Sequence, residues 1–392
     1  MKKAVIVSIA RTPMAIMRGD FAAIPVPKLG AIPMKAAVEK IKLDPAAIDD
    51  VIYGNIFGQD WGNVARNCVL EADFPDSVPA VTVDRQCSSS LNALAMGASM
   101  IQTGQADIVL TGGVESYSQF PFFIKRPSDA YPMNLDVLPY KSSVPGGRGD
   151  NLPMILTAEN LAKQYSITRE ECDAFALSSH QKAAAAWQNG YFSDQVVPVT
   201  LPQRKGPDKV VDVDVCIRPD ASLEAMAKLR PVMLKEGVVT AGNSSPMNDG
   251  ASAIVIMSEE KANEMGLEAL AIVRESAAAG CDPMIMGIGP VYSTRNLMKR
   301  FGYTLDDFAL IELNEAFAVQ SLACIKELGL DQSKVNVEGG AIAIGHPNGA
   351  SGGMLAGRMV YALRRRNMKF GLVSFCIGGG QGFSLVLENP QA

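Results

Sequence analysis

Apolar runs recur in the same order in the first and last thirds of the chain, each followed by a polar or glycine-rich turn and then by helix-like spacing. Short apolar runs bounded by turn residues predict buried strands. Residues 48–57 (IDDVIYGNIF) match residues 308–317 (FALIELNEAF), VPAVTVDRQCSSS matches SKVNVEGGAIAIGHPNGASG, and DIVLTGGVES matches FGLVSFCIGGGQG. The sequence therefore predicts two duplicated α/β halves, each a mixed sheet covered by helices.

The segment between these halves is rich in Pro, Ser, Gly and charged residues. In it, Thr168 and Glu171 form a capping-box pattern, which predicts a helix through His180 to about Trp187. Residues 218–232 are a second helical stretch bounded by prolines. We assign residues 119–242 to an inserted loop domain, residues 1–118 with 243–265 to the N-terminal half, and residues 266–392 to the C-terminal half.

The chain of 392 residues is long enough for two such halves, and its 48% hydrophobic content is typical of a globular protein. No stretch approaches the roughly 18 apolar residues of a membrane span, so no membrane partner is expected. Arg11 to Pro13 interrupt the apolar start of the chain before the core of a signal peptide could form. The start therefore predicts a buried strand, and we expect a cytoplasmic protein. A net charge of −5 argues against nucleic acid as a partner. Seven scattered cysteines without a C-x-x-C pair argue against disulfides and a metal site.

Cys87 lies where the apolar strand VPAVTVD ends and a helix-spaced run begins. The free amides and the positive dipole end of a helix N-terminus lower the pKa of a thiol and stabilise the reactive thiolate. A cysteine in an apolar setting is commonly core filler. Its place at a turn, directly before three serines, favours a nucleophile instead.

Only two histidines can supply an imidazole base at neutral pH. His346 lies in GGAIAIGHPNGASGG, where glycines let the backbone pass close to other groups, and it is the candidate general base. His180 lies on a polar helix beside Gln181 and Lys182, which predicts a surface residue.

Two further polar positions follow apolar strands. Cys376 opens the turn IGGGQG, whose amides can point at a developing negative charge, although core filler is an equal alternative. Asn314 follows the strand FALIEL, where helix capping is the alternative. Two thiols, an imidazole and an amide at strand ends indicate acyl transfer through a thioester, with the second thiol free for proton transfer.

Four motifs, taken together and in order, resemble the thiolase family over essentially the whole chain. VDRQCSSS resembles its nucleophile motif, NEAFA its asparagine motif, GHPNGASG its histidine motif and CIGGGQG its second-cysteine motif. The resemblance implies an αβαβα five-layer fold of two duplicated βαβαβαββ halves, in which the inserted loop domain holds coenzyme A. It also implies a homodimer or homotetramer and leaves a further subunit open.

The implied activity is that of an acetyl-CoA acyltransferase or acetyltransferase of fatty acid and lipid metabolism. Such an enzyme cleaves 3-ketoacyl-CoA by thiolysis or catalyses the reverse Claisen condensation. Acyl-CoA and coenzyme A are then substrates, and no permanently bound cofactor is expected.

The resemblance also implies a role for each residue. Cys87 is acylated, His346 activates it and joins Asn314, through a water, in holding the thioester oxygen. Cys376 exchanges the Cα proton of the second acyl unit, and the amides of Cys87 and Gly378 form the other oxyanion hole. The contacts carried over for coenzyme A and the acyl group are Arg218 beside the adenine, Ser245 near the pantetheine, Met154, Met233 and Phe317 along the tunnel, and Met286 and Gly287 in the loop over the acyl group.

Three positions depart from the family pattern. Ser90 and Pro246 stand where glycines are usual, and Pro153 stands where the short-chain biosynthetic branch usually has a histidine, which favours the broader-chain 3-ketoacyl branch. Two alternative functions make different demands on the reactive residues. A decarboxylating ketoacyl synthase on the same fold would need a histidine where Asn314 stands, and a non-catalytic thiolase-like binding protein would be expected to lack one of the reactive residues.

Overall fold

The computed structural model describes residues 2–124, 126–127, 137–138 and 152–392, so part of the proposed loop domain 119–242 lies outside the described residues. The strands are β1 (Ala4–Arg11), β2 (Ala15–Ile16), β3 (Asp50–Gly54), β4 (Ala80–Val83), β5 (Ile108–Ser116), β6 (Phe123–Ile124), β7 (Val137–Leu138), β8 (Val199–Leu201), β9 (Lys209–Val211), β10 (Asn248–Ser258), β11 (Ala271–Gly280), β12 (Leu310–Leu313), β13 (Phe370–Ile377) and β14 (Gln381–Glu388). The helices are α1 (Val26–Lys40), α2 (Val64–Glu71), α3 (Ser89–Gln102), α4 (Met154–Tyr165), α5 (Arg169–Gln188), α6 (Leu223–Ala227), α7 (Glu259–Glu264), α8 (Gly289–Phe301), α9 (Ala318–Leu328), α10 (Ala341–Ile344) and α11 (Asn348–Arg366). None of the helices in these ranges is both long and apolar enough to cross a membrane.

The main sheet repeats one strand arrangement twice. Its order is β12-β13-β14-β11-β1-β10-β5-β3-β4. In the first half β10 pairs antiparallel with β1 and β5, and β3 pairs parallel with β5 and β4. In the second half β14 pairs antiparallel with β11 and β13, β12 pairs parallel with β13, and Ile311 of β12 forms a parallel bridge with Val335. The predicted duplication is confirmed, because the matched apolar runs occupy equivalent places in the two halves.

Helices form three layers that enclose the two halves of the sheet. α1 and α2 pack on the outer face of the N-terminal half, and α8 and α9 cover the outer face of the C-terminal half. Between the halves, α3 and α11 pack on each other, and the inner faces of both halves contribute to one buried apolar cluster around these two helices. This arrangement is the five-layer αβαβα fold that the motifs imply.

The capping box is confirmed, because Thr168 Oγ1 accepts from the Glu171 amide at 3.2 Å and the Glu171 carboxylate accepts from the Thr168 amide at 2.7 Å. The helix predicted over residues 218–232 is wrong in extent, since only Leu223–Ala227 is helical. Proline disfavours a helical conformation at the residue before it, and Pro231 pairs instead with Thr240 in an extended bridge.

A buried ion pair ties the inserted segment to the N-terminal half. The Arg11 guanidinium at the end of β1 binds both carboxylate oxygens of Asp214, at 2.7 and 2.9 Å. Asp214 also accepts from the Met14 amide at 2.9 Å and from Trp187 Nε1 at 3.1 Å. Both charged groups are therefore hydrogen-bonded as well as paired, which buried charges require.

Candidate active site

Cys87 occupies a tight turn between β4 and α3. The residue before it, Gln86, has φ of 46°, a left-handed conformation that is uncommon outside glycine. Ser89 Oγ braces the turn, accepting from the Arg85 amide at 2.9 Å and donating to the Gln86 carbonyl at 2.7 Å. Cys87 remains partly exposed at this turn, whereas Ser88 to Ser90 behind it are buried.

The thiol of Cys87 is not a preformed thiolate, and the expectation of a lowered pKa is wrong. Burial raises its pKa to about 11, although the amides of Gly378 and of Cys87 itself act in the opposite direction. The carboxylates of Glu115 and Asp84 raise the pKa further. The desolvation of the sulfur outweighs the helix N-terminus here, so a base is needed to remove the proton.

His346 is held at the equivalent turn of the second half, just before α11. Its amide donates to Asn248 Oδ1 at 2.8 Å, and the preceding Gly345 has φ of 121°. Ser351 Oγ lies 2.7 Å from His346 Nδ1 and donates its single proton to the Pro347 carbonyl at 2.9 Å. The serine oxygen therefore accepts a proton from Nδ1, which leaves Nε2 of a neutral imidazole as the basic nitrogen.

The environment of the ring agrees with this assignment. Burial lowers the pKa of His346 to about 4, so the imidazole is neutral at ordinary pH. Asn314 Nδ2 lies 3.4 Å from His346 Nε2. Asn314 Oδ1 is buried and has no partner among the described residues. A buried polar atom without a partner is costly, and a bound water or ligand donor would satisfy it.

Cys376 lies at the end of β13 and is fully buried. Burial, with the neighbouring thiols of Cys87 and Cys324, raises its pKa well above the usual range. The influence of the Cys87 thiol on the pKa of Cys376 indicates that the two thiols lie close together. Met154, at the start of α4, borders the adjacent Gly378, since a Cβ on that glycine would lie 3.9 Å from the methionine sulfur.

A buried carboxylate that the sequence did not single out fixes the walls of this site. Glu115, at the end of β5, accepts from the amides of Phe57 at 3.1 Å and Gly349 at 3.0 Å and from Asn55 Nδ2 at 3.1 Å. Burial raises its pKa to about 8. In the second half, Glu315 follows β12 directly and is likewise buried and hydrogen-bonded, accepting from two side chains and one backbone amide. The sequence signal that could have identified Glu115 is a glutamate at the end of an apolar strand.

The residues expected to contact coenzyme A and the acyl group are spread over several elements. Ser245 bonds the carbonyl of Ala316 through both its amide, at 3.0 Å, and its hydroxyl, at 3.1 Å, which places it beside Phe317. Met286 and Gly287 are buried in the segment Pro283–Ile288, and Met286 belongs to the same apolar cluster as Cys376. Met233 is 47% exposed, and its contact with coenzyme A stays a prediction.

A cavity of about 390 Å³ opens next to these residues. Arg218, Ser244 and Pro246 line it, together with His180. The surface assignment of His180 is wrong, because only 4% of the residue is exposed. The segment that contains Arg218 and Asp220 forms part of the same wall, and the Arg218 amide donates to His180 Nδ1 at 3.2 Å. In the described part of the chain, no group of three or more His, Cys, Asp or Glu residues is arranged to hold a metal ion.

Comparison with known proteins gives one consistent match. Residues 4–260 match the family model "Thiolase, N-terminal domain", and residues 267–389 match "Thiolase, C-terminal domain". An acetyl-CoA acetyltransferase of Chromobacterium violaceum is 45% identical, over 98% of this chain and 99% of that protein. A beta-ketoadipyl-CoA thiolase of Acinetobacter baylyi is 44% identical, over 99% and 100%. The crystal structure of human mitochondrial 3-ketoacyl-CoA thiolase superposes with a TM-score of 0.93 at 39% identity, covering 99% of each chain.

Proposed function

Since the chain belongs to the thiolase family and is an acyltransferase acting on coenzyme A thioesters, we propose that Cys87, His346, Asn314 and Cys376 are the groups that carry the reaction. The observation that carries this proposal is that the Cys87 thiol and the His346 imidazole have complementary protonation states. The Cys87 thiol holds its proton, and His346 presents an unprotonated Nε2. A protonated nucleophile and a neutral base are the reactants of a general-base-assisted attack.

In the direction of thiolysis, the Cys87 sulfur attacks the 3-keto carbon as His346 Nε2 takes the thiol proton. The bond between C2 and C3 then breaks, and its electron pair takes the proton of Cys376, which releases acetyl-CoA. Coenzyme A attacks the thioester on Cys87 after giving its own thiol proton to the Cys376 sulfur. Cys87 leaves and recovers its proton from His346, so every group returns to its starting state.

Two sets of donors would stabilise the oxyanions of these steps. The amides of Cys87 and Gly378 already interact with the Cys87 sulfur, which puts them near a carbonyl oxygen of an acyl group on that sulfur. In the second set, the imidazolium of His346 would donate from Nε2, and the unpaired Asn314 Oδ1 would hold a water that donates beside it.

The length of the acyl chain in the substrate is a separate question from the type of reaction. The relatives named acetyl-CoA acetyltransferase and beta-ketoadipyl-CoA thiolase are 45% and 44% identical to this chain, so identity does not choose between their substrates. We propose a cytoplasmic enzyme of fatty acid metabolism with a 3-ketoacyl substrate broader than acetoacetyl, because Pro153 stands where the short-chain branch usually has histidine. A panel of 3-ketoacyl-CoA thioesters with free coenzyme A would test this, and a preference for acetoacetyl-CoA would contradict it.

A homodimer or homotetramer is also proposed. β4 ends the sheet in the described part of the chain, and its residues are half-buried or exposed. Free strand edges are sites at which a second chain can pair. Sedimentation equilibrium would test this assembly, and a monomer at micromolar concentration would contradict it.

The roles of the two thiols can be separated by mass spectrometry. Wild-type protein given a short acyl-CoA should carry one acyl group on the peptide that contains Cys87. Cys376→Ser should still be acylated, but should lose thiolysis and the exchange of Cα hydrogens with deuterated water, because a hydroxyl is a much weaker acid than a thiol. Absence of an adduct on Cys87, or normal exchange in Cys376→Ser, would contradict the assignment.

A further inference from the structure

The carboxylate of Glu115 is buried between two backbone segments and bonded to both. Oε1 accepts from Asn55 Nδ2 and from the Phe57 amide, both at 3.1 Å. Oε2 accepts from the amides of Ile56 at 3.2 Å and Gly349 at 3.0 Å. All four partners are N–H donors, so the ionised carboxylate fits this place, whereas a protonated carboxyl would turn its own proton toward a donor. Burial raises the pKa of Glu115 to about 8 against the effect of these amides, and the group is therefore an anion at pH 9.

On one side, this carboxylate holds the start of α11, the helix that follows His346. Gly349 lies in the first turn of α11, where the amides have no acceptor within the helix. Pro347, just before the helix, has no side-chain group that could accept from them, so Glu115 takes the place of a capping residue. The start of α11 also carries Ser351, whose hydroxyl lies 2.7 Å from His346 Nδ1. A shift of this turn would therefore move the base.

On the other side, the carboxylate holds the turn that follows β3. The Asn55 amide donates to the Val83 carbonyl, at the end of the strand that leads to the nucleophile, at 3.2 Å. A Cβ on Gly54 would lie 2.7 Å from the Ser90 amide nitrogen in α3 and 2.6 Å from the Gly349 carbonyl oxygen in α11. This turn is therefore in close contact with the helix behind the nucleophile and with the helix behind the base.

The charge of Glu115 also acts on the nucleophile. Burial has the largest effect on the pKa of the Cys87 thiol, and the carboxylates of Glu115 and Asp84 raise that pKa further. Asp84 is exposed, so water and salt screen its charge more than that of the buried Glu115. A change at Glu115 can therefore alter the reactivity of the Cys87 thiol through charge alone, separately from any movement of the base.

We propose that Glu115 is a positioning residue for the reaction, whose carboxylate holds the first turn of α11, and with it His346, against the half that carries Cys87. The proposal rests on the function proposed above, in which His346 takes the proton of Cys87. Proton transfer needs the two side chains within hydrogen-bond reach, and a displacement of about 1 Å can cost about 100-fold in rate. In this role Glu115 acts through His346 rather than on the substrate.

Two substitutions separate the hydrogen bonds of Glu115 from its charge. Glu115→Asp keeps the anion but is one methylene too short to reach both segments, and Glu115→Gln keeps the length but turns an NH₂ group toward two of the four donors. We expect both variants to slow acylation of Cys87 by acyl-CoA at pH 9 about 100-fold, with KM for acyl-CoA within about threefold. Rapid-quench mass spectrometry of the Cys87 peptide would measure these rates.

Alkylation of the same peptide by iodoacetamide at pH 9 is the second readout. Glu115→Gln should raise its rate about three- to tenfold, because loss of the buried anion lowers the pKa of the thiol, whereas Glu115→Asp should stay within about twofold of wild type. Acylation at the wild-type rate in both variants would overturn the proposal. Slow acylation with equal alkylation in the two variants would also overturn it, because the slowing would then reflect a general disturbance of the site. Failure of the wild-type protein to form an acyl adduct on Cys87 would instead refute the proposed function.

Hydrogen exchange in the unaltered protein does not depend on the variants folding. Amides in the first turn of a helix exchange quickly unless a group outside the helix accepts from them. The Gly349 amide, followed in protein labelled with ¹⁵N-glycine, should exchange at least about 100-fold more slowly than an unprotected amide. Exchange at the unprotected rate would show that Glu115 does not hold α11, and would overturn the proposal.

Discussion

Ser351 Oγ accepts the Nδ1 proton of His346 at 2.7 Å and gives its own proton to the Pro347 carbonyl, so a serine in the first turns of α11 fixes the tautomer of the base. Ser351→Ala removes this acceptor from a fully buried ring. We expect acylation of Cys87 to slow about 10- to 100-fold, the size of effect seen when a metal-binding imidazole loses the partner that orients it. Rapid-quench mass spectrometry of the Cys87 peptide would measure it, and KM for acyl-CoA should stay within about threefold.

Ser90→Ala is the matched control for this prediction. Ser90 is equally buried and bonds the Gly353 amide at 3.0 Å, in the same pair of packed helices but outside the imidazole network. Its acylation rate should stay within a few-fold of wild type. Equal slowing in both variants would show that Ser351 supports only the packing.

The pH dependence of alkylation tests the resting state of the nucleophile. With the pKa of Cys87 raised to about 11 and that of His346 lowered to about 4, the free protein holds a thiol and a neutral imidazole between these values. The rate of Cys87 modification by iodoacetamide should therefore keep rising above pH 9, because the thiolate is the reacting form. A plateau already reached at pH 7 would indicate a thiolate and imidazolium pair instead.

Asp214→Asn should destabilise the protein by about 3–5 kcal/mol, because it leaves the buried Arg11 charge without its carboxylate. Equilibrium unfolding in urea would measure this loss. The control is Glu224→Gln, which breaks a pair with Lys228 whose side chains are 82% and 72% exposed. That change should cost at most about 1 kcal/mol, as exposed ion pairs do. Similar losses in both variants would contradict the role given to the buried pair.

Gly352→Ala should be strongly destabilising, because a Cβ at this position would lie 2.2 Å from the Leu91 amide nitrogen where α11 crosses α3. Overpacking of a close contact costs about 1–3 kcal/mol or more. Gly280→Ala is the control, since the nearest atom to a Cβ there is 4.0 Å away. Thermal unfolding of both variants would decide, and a melting temperature unchanged by Gly352→Ala would contradict the close packing.

The sequence predicted the duplication and the placement of Cys87 and His346, because strand and turn patterns are local and each half repeats them. It also predicted the α5 helix through Thr168 and Glu171, a signal contained in four residues. The same local reasoning cannot find which segments of the chain cover one another. His180 was therefore assigned to the surface, although it is buried and its ring accepts a hydrogen bond from the amide of Arg218, on a later segment of the chain.

The pKa of Cys87 also depends on which segments of the chain pack against one another. The helix N-terminus at Cys87 was visible in the sequence, but the burial that raises its pKa comes from several elements that meet only in the fold. Glu115 is a related case. Its four donors come from two turns on opposite sides of the carboxylate, at residues 55–57 and at Gly349, so its importance depends on tertiary contacts.

β10 (Asn248–Ser258) lies between β1 and β5, although the chain reaches it only after the whole inserted segment. During synthesis, the first half of the sheet therefore lacks an inner strand until residue 258 has emerged from the ribosome. Until then β5 presents an unpaired edge and β1 lacks both of its neighbours in the sheet, β10 and β11, and unpaired strand edges are templates for aggregation. A nascent chain that is released before β10 has been synthesised cannot complete even the sheet of its N-terminal half. The order of translation is therefore a constraint on how this protein folds.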